Sequence, residues 1–369
     1  MNMKSILAAS VSAIALVGTA APSYAANDLD ALYKAAQGEG QLTTIALPHD
    51  WCGYGAVIDA FKKKYPGITV NELNPDAGSG DEIEAIKANQ GNTGPQAPDV
   101  IDVGLSFGPQ AKADKLIQPY KVNTWDSIPD SAKDADGYWY GDYYGVLAFI
   151  VNDDLVKTAP TSWADLKKPD YANQFALAGD PRAANQAIQA VYAAGLASGG
   201  SAGADAGTKG LAYFADLNKA GNFVPVIGKA APVAQGTTPI VAAWDYNALA
   251  WRDGFAGNPK AQVVVPSDAV VAGVYIQAIS AYAPHPNAAK LWMEYLYSDE
   301  GQIGWLAGYC HPIRFNDLAS KNAIPQDLLA KLPDPALYAK AVFPTLDEQA
   351  AAKDAITKGW DSTVGANVQ

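Results

Sequence analysis

Apolar and polar positions fall into two alternating rhythms along the chain. Residues 28–38 read as a short helix, and QLTTIAL (41–47) has strand character and stops at Pro48. GAVIDAFKKKYPGI (55–68) puts Val57, Ile58, Phe61 and Tyr65 on one helical face, and Pro66-Gly67 ends it. ITVNEL (68–73) predicts a strand, GDEIEAIKANQ (80–90) a helix, and PDVIDVG (98–104) a strand whose apolar run is broken by an acid. Strand, helix, strand, helix, strand at this spacing predicts βαβ units and a mainly parallel sheet.

The pattern changes near residues 137–152, where DGYWYGDYYGVLAFIVNDDL is aromatic-rich and then extended. A polar, Pro-containing connection follows, and then a second α/β run. It comprises a strand at 174–178, helices at 182–197 and 208–220, strands at 223–227 and 239–243, and AQVVVP (261–266). GVYIQAISAYAP (273–284) is another extended apolar stretch, PNAAKLWMEYLYSDEGQIGWLAG (286–308) a long helix, and the last ~35 residues are mostly helical. GLASGGSAGADAGTKG (195–210), rich in Gly, Ala and Ser, reads as a surface loop. Two α/β units joined by two extended segments predict two lobes with a cleft between them, and solutes bind beyond the carboxyl ends of such strands.

The loops at those strand ends carry the candidate chemistry. The first, PHDWCGYG (48–55), offers His49, Asp50, Trp51, Cys52 and Tyr54; the third, GLSFG, offers Ser106 and Phe107. The second lobe contributes GDPR (179–182) and AAWDYNALAWR (242–252), with Asp245 and Tyr246, and the second crossover contributes Tyr275 and Gln277. Arg182 is out of place at a helix start, where the dipole disfavours a cation. An anionic ligand held between its guanidinium fork and the free helix N–H groups would account for it. Trp and Tyr faces suit alkyl chains or amines, and Asp245 would complete an amine site. Each side chain also has a plain reading: aromatic packing, a helix N-cap for Asp245, an ion pair with Asp180 for Arg182.

Composition narrows the function. The chain has 369 residues, 49% hydrophobic and 17% charged, which suits a globular protein of two domains. Its first 25 residues, with Lys4, the apolar run Ile6–Val17 and Ser23-Tyr24-Ala25, predict a secretory signal peptide cleaved after Ala25. A net charge of −12 argues against nucleic acid or anionic membranes as partners. In an oxidising compartment Cys52 and Cys310 are a candidate disulfide; the alternative is two separate buried thiols. GxSxG, HExxH and Walker A patterns are absent, and His49, His285 and His311 lack metal spacing, so neither enzyme, metal nor cofactor is expected. The distant alternative is an exported hydrolase using His49-Asp50 near Cys52.

Four stretches look like one known family: AAQGEGQLTTIA, GVLAFIVNDDLVKTAPTSWADL (145–166), YAPHPNAAKLWMEYLYSDEGQ (282–302) and GYCHPIRFNDL (308–318). The chain resembles the periplasmic solute-binding proteins of ABC importers, in the subgroup that binds polyamines, γ-aminobutyrate (GABA), aminophosphonates, thiamine or ferric iron. The resemblance implies a type II periplasmic-binding fold, α/β, with two lobes on a two-crossover hinge, acting as a monomer that closes on a solute and delivers it to a membrane permease. Lobe 1 would comprise residues 26–148 and 272–325, lobe 2 residues 149–271, and residues 326–369 a helical segment on lobe 2. A sensory role would use the same fold. Ferric binders of this subgroup use adjacent tyrosines in the second lobe, whereas this chain has Trp244-Asp245-Tyr246-Asn247 there, and Tyr143-Tyr144 lies before the first crossover. Arg182 with Asp245 would fit GABA or a related ω-amino acid, with Trp51, Phe107 and Tyr275 around the methylenes; 2-aminoethylphosphonate and a polyamine are the alternatives. The resemblance puts Cys52 and Cys310 in one lobe, so a bridge would leave the hinge free.

Overall fold

Thirteen residues, Tyr140–Asn152, form one strand shared by two halves of the molecule. The computed structural model describes residues 26–332, 336 and 340–369; the expected leader lies outside the described residues. In chain order the strands are β1 (Gln41–Ile45), β2 (Thr69–Leu73), β3 (Val100–Gly104), β4 (Ile117–Gln118), β5 (Tyr140–Asn152), β6 (Phe175–Leu177), β7 (Ile240–Trp244), β8 (Ala261–Val264), β9 (Ala272–Ser280) and β10 (His311–Pro312).

In the first lobe β1 and β2 pair in parallel, and β1 lies beside β3, where the Asp99 N–H donates to the Thr43 carbonyl at 2.8 Å. β3 pairs with β9 and β9 with the first half of β5, both antiparallel. In the second lobe β6 and β7 pair in parallel, while β7 and β8 flank the second half of β5 antiparallel. The parallel pairs are the βαβ units read from the sequence, but the expected mainly parallel pairing holds only for them: the other six strand pairings among the described residues are antiparallel, each made by the crossover strand β5 or β9. Both crossover strands are buried almost throughout, because each is covered on both faces.

The crossovers meet at a glycine pair. Gly145 on β5 lies opposite Gly273 on β9. A Cβ at Gly145 would stand 2.5 Å from the Asp245 carboxylate, and one at Gly273 would stand 2.1 Å from the Trp244 ring. Only a bare backbone lets the start of the second-lobe helix Asp245–Gly254 seat here.

Several sequence expectations need correcting. The helix expected from Arg182 begins at Asn185, since Asp180 and Pro181 close a turn in which the Arg182 N–H donates to the Asp180 carboxylate at 2.9 Å. Residues 223–227 make a single bridge, Phe223 to Phe175, and no strand. The long helix from 286 stops at Leu296 and restarts at Asp299, capped by the Ser298 hydroxyl. The Gly-rich stretch 195–210 is partly helical, for helix Ala204–Ala220 starts inside it. Its glycines serve close packing: a Cβ at Gly195 would lie 1.8 Å from the Ala206 carbonyl, and one at Gly210 2.0 Å from that of Val191. The helix Asn185–Ala197 therefore packs directly on Ala204–Ala220. The C-terminal helix Leu346–Thr363 packs on both. No helix among the described residues is long and apolar enough to cross a membrane.

Candidate functional site

A cleft of about 610 Å³ separates the lobes. Its first-lobe wall comes from the loop after β1 (Asp50, Trp51), the loop after β2 with the start of helix Ser79–Ala88, and Asp102 in β3. Its second-lobe wall comes from Asp180, Asn185 and Gln186 at the start of helix Asn185–Ala197, with Lys229, Asn247 and Trp251; Tyr275 of β9 also lines it.

The two helix starts abut. The Gly80 N–H donates to the Ala183 carbonyl at 3.1 Å, and a Cβ at Gly78 would lie 3.2 Å from the Ala184 Cα. Helix Asn185–Ala197 has no side-chain cap, and among the described residues the N–H groups of Asn185, Gln186 and Ala187 have no acceptor. Orphan donors of this kind suit an anion. The Ser79 hydroxyl accepts from the Gly104 N–H at 3.1 Å and keeps its own proton to donate.

The lobes are clasped shut. The Trp251 indole donates to Asp50 at 3.1 Å, Lys229 pairs with Asp76, and the Tyr309 hydroxyl donates to Asp253. Two of these clasps flank the Cys52–Cys310 disulfide, which joins residues 258 apart in sequence with Cα atoms 5.4 Å apart. Asp50 and Trp51 precede one half-cystine, and Tyr309 precedes the other. The bridge ties two loops of the same lobe.

Behind the cleft wall lies a buried network. Tyr54 and Tyr143 donate to one oxygen of Asp102 at 2.8 and 2.6 Å, and Gln277 donates to Tyr54 and Asp142 at 2.7 and 3.1 Å. The Asp102 N–H donates to Glu82 at 2.8 Å. Burial pushes Asp102 up to about 7 against the lowering effect of the two tyrosine donors. Glu82 and Asp142 are also raised, by burial first and by the nearby Asp102 charge second.

Residues 96–336 match the family of bacterial extracellular solute-binding proteins. The chain belongs to that family. A putative 2-aminoethylphosphonate-binding periplasmic protein of Salmonella typhimurium is 30% identical over 257 residues, covering 68% of this chain and 70% of the relative. Among solved structures, the periplasmic binding protein AfuA from Actinobacillus pleuropneumoniae, with fructose-6-phosphate bound, superposes with a TM-score of 0.68 at 22% identity, covering 88% of this chain and 98% of that one. The Atu4243 GABA receptor does so with a TM-score of 0.61 at 17% identity, covering 87% and 96%. These structures share the two-lobed type II fold.

Within this solute-binding protein, the residues singled out from sequence divide sharply. Trp51 and Tyr275 line the cleft, their rings 5.2 Å apart and edge to face, and the Trp51 indole donates to the Tyr143 hydroxyl at 2.6 Å. Arg182 does not line it. Its guanidinium is held by Asp180 at 2.7 Å, Asp361 at 3.1 Å and Asn367 at 2.8 Å, so its charge is already answered by carboxylates of its own lobe. Asp245 is fully buried at the hinge and accepts from the Val146 N–H at 3.0 Å, which makes it a backbone anchor. Tyr54 serves Asp102 from behind the wall, and Tyr246 is packed against Trp51 and Tyr143. Ser106 and Phe107 face the C-terminal helix instead, where the Lys353 ammonium donates to the Ser106 carbonyl at 3.2 Å and sits 3.9 Å from the Phe107 ring centre. Burial pushes Lys353 down to about 8.

Sequence reasoning passed over Ser79, Asp102, Asn185 and Lys229. One signal was available: an acid inside the apolar run PDVIDVG is out of place in a buried strand unless it has work to do. Ser79 and Asn185 carried no such mark, because what matters there is that two helix starts meet.

Proposed function

We propose that this chain is the periplasmic binding component of an ABC importer and captures a small solute bearing both an acidic group and a primary amine, with 2-aminoethylphosphonate first and GABA or another short ω-amino acid second. One observation carries the reading: one interlobe cleft is lined both by the uncapped helix start at Asn185 and Gln186 and by the acidic side chains of Asp50, Asp76, Glu82 and Asp102. The first suits an anion and the second an ammonium. The curated relatives named for 2-aminoethylphosphonate favour the phosphonate over the carboxylate. Solute binding would bridge the lobes, stabilise the clasped form and present it to the permease.

Calorimetric titration of the purified protein with 2-aminoethylphosphonate, GABA and putrescine tests this. Binding of one or both zwitterions above putrescine is the expected result. Binding of putrescine alone would overturn it.

A further inference from the structure

We propose that Asp102 is the receptor for the solute's primary ammonium, with Trp51 and Tyr275 as its aromatic flank; this rests on the amine-bearing solute proposed above. Asp102 is 4% exposed and lines the cleft. One of its oxygens takes both tyrosine hydroxyls. The other, Oδ1, is buried and has no hydrogen-bond partner among the described residues. A carboxylate oxygen stripped of water and given no donor is costly, and Asp102 belongs to the cleft wall. An ammonium, with three N–H donors, is the complement that can arrive from there.

Three further observations agree. Tyr143 holds both Asp102 and the Trp51 indole, so one hydroxyl fixes the carboxylate and the ring beside it. Ring faces of this kind attract a cation. Asp50, Asp76, Asp81, Glu82 and Asp180 surround the cleft, and Lys229, paired with Asp76, is the one basic residue lining it among the described residues.

The strand also ties Asp102 to the helix starts. Gly104, two residues along β3 from Asp102, donates its N–H to Ser79, and a Cβ added to it would lie 2.1 Å from the Asn185 amide. Residues two apart on a strand face the same side about 7 Å apart, so Asp102 and Gly104, which meets both helix starts, share one face of β3.

The test compares 2-aminoethylphosphonate with ethylphosphonate, which lacks the amine, on wild-type protein and Asp102→Asn. Wild type is expected to prefer the amine compound by about 30-fold or more, and Asp102→Asn to lose that preference to within about 3-fold. A preference that survives intact in Asp102→Asn overturns the assignment. If wild type takes putrescine and neither zwitterion, the proposed solute class fails by itself, and a loss of about 30-fold in putrescine affinity in Asp102→Asn still supports the ammonium role. No amine binding at all overturns both. Should Asp102→Asn not fold, Asp102→Glu decides. Its carboxylate reaches one methylene further, so preference should shift at least about 5-fold toward aminomethylphosphonate, and an unchanged spacer preference overturns the assignment.

Discussion

The indole N–H of Trp251 donates to the carboxylate of Asp50 at 3.1 Å, joining the second-lobe helix that starts at Asp245 to the loop after β1. This bond exists only when the lobes are together. Trp251→Phe keeps an aromatic ring, though a smaller one, and removes the donor. We expect solute affinity to fall about 10–100-fold, the worth of one hydrogen bond to a charged group, with the order of preference among solutes unchanged. Titration checks both. A reordered preference would mean that Trp251 reads the solute directly.

Arg182→Ala separates two roles for the arginine. Because Asp180, Asp361 and Asn367 already hold its guanidinium, the loss should appear in folding, at about 1 kcal/mol for a half-buried ion pair. Affinity should stay within about 2-fold. A tenfold drop in affinity at unchanged stability would return Arg182 to the site.

The buried acids give stability a definite dependence on pH. Asp102 has a folded value near 7 against an ordinary 3.8, so between those values the folded chain keeps a proton that the unfolded chain has released. Stability from this group therefore falls as pH rises through that window and stays lower above it. His311, pushed by burial from 6.5 down to about 4, acts in the opposite sense, because there the unfolded chain binds the proton. Comparing Asp102→Asn with wild type cancels the histidine. The variant's advantage in unfolding free energy should be near zero at about pH 4 and reach about 2 kcal/mol or more at pH 8. Denaturant titrations across that range check it, and a pH-independent difference would contradict it.

The disulfide fixes loops that carry the clasps. Cys52→Ser with Cys310→Ser should cost about 2–5 kcal/mol of stability. It should also weaken solute binding, because Trp51 adjoins Cys52 and Tyr309 adjoins Cys310. Thiol titration of the denatured, unreduced wild type should find no free thiol; finding two would remove the bridge.

At the hinge, Gly273→Ala tests the glycine pair. Its Cβ would stand 2.1 Å from the buried Trp244 ring. Overpacking of this kind should cost about 1–3 kcal/mol in thermal or denaturant unfolding. A neutral result would show that Trp244 can step aside.

The sequence by itself determined the elements and their grouping. Apolar periodicity marked the helix after β1 and the buried strand β3, and the two long apolar runs became the crossovers β5 and β9. Trp51 and Tyr275 were legible as cleft aromatics because loops at strand ends converge in such folds. Tertiary structure alone decided which charges are free. Arg182 and Asp245 looked like a matched ligand pair, yet one is answered by Asp180 and Asp361 and the other by a backbone N–H of β5. Asp361 lies 179 residues from Arg182, and Val146 lies 99 from Asp245, so neither pairing leaves a local trace. Asp102 shows the converse. Its type and its apolar neighbours were plain in the sequence, but only the packing of Tyr54 and Tyr143 around one oxygen shows that the other is buried without a hydrogen-bond partner among the described residues.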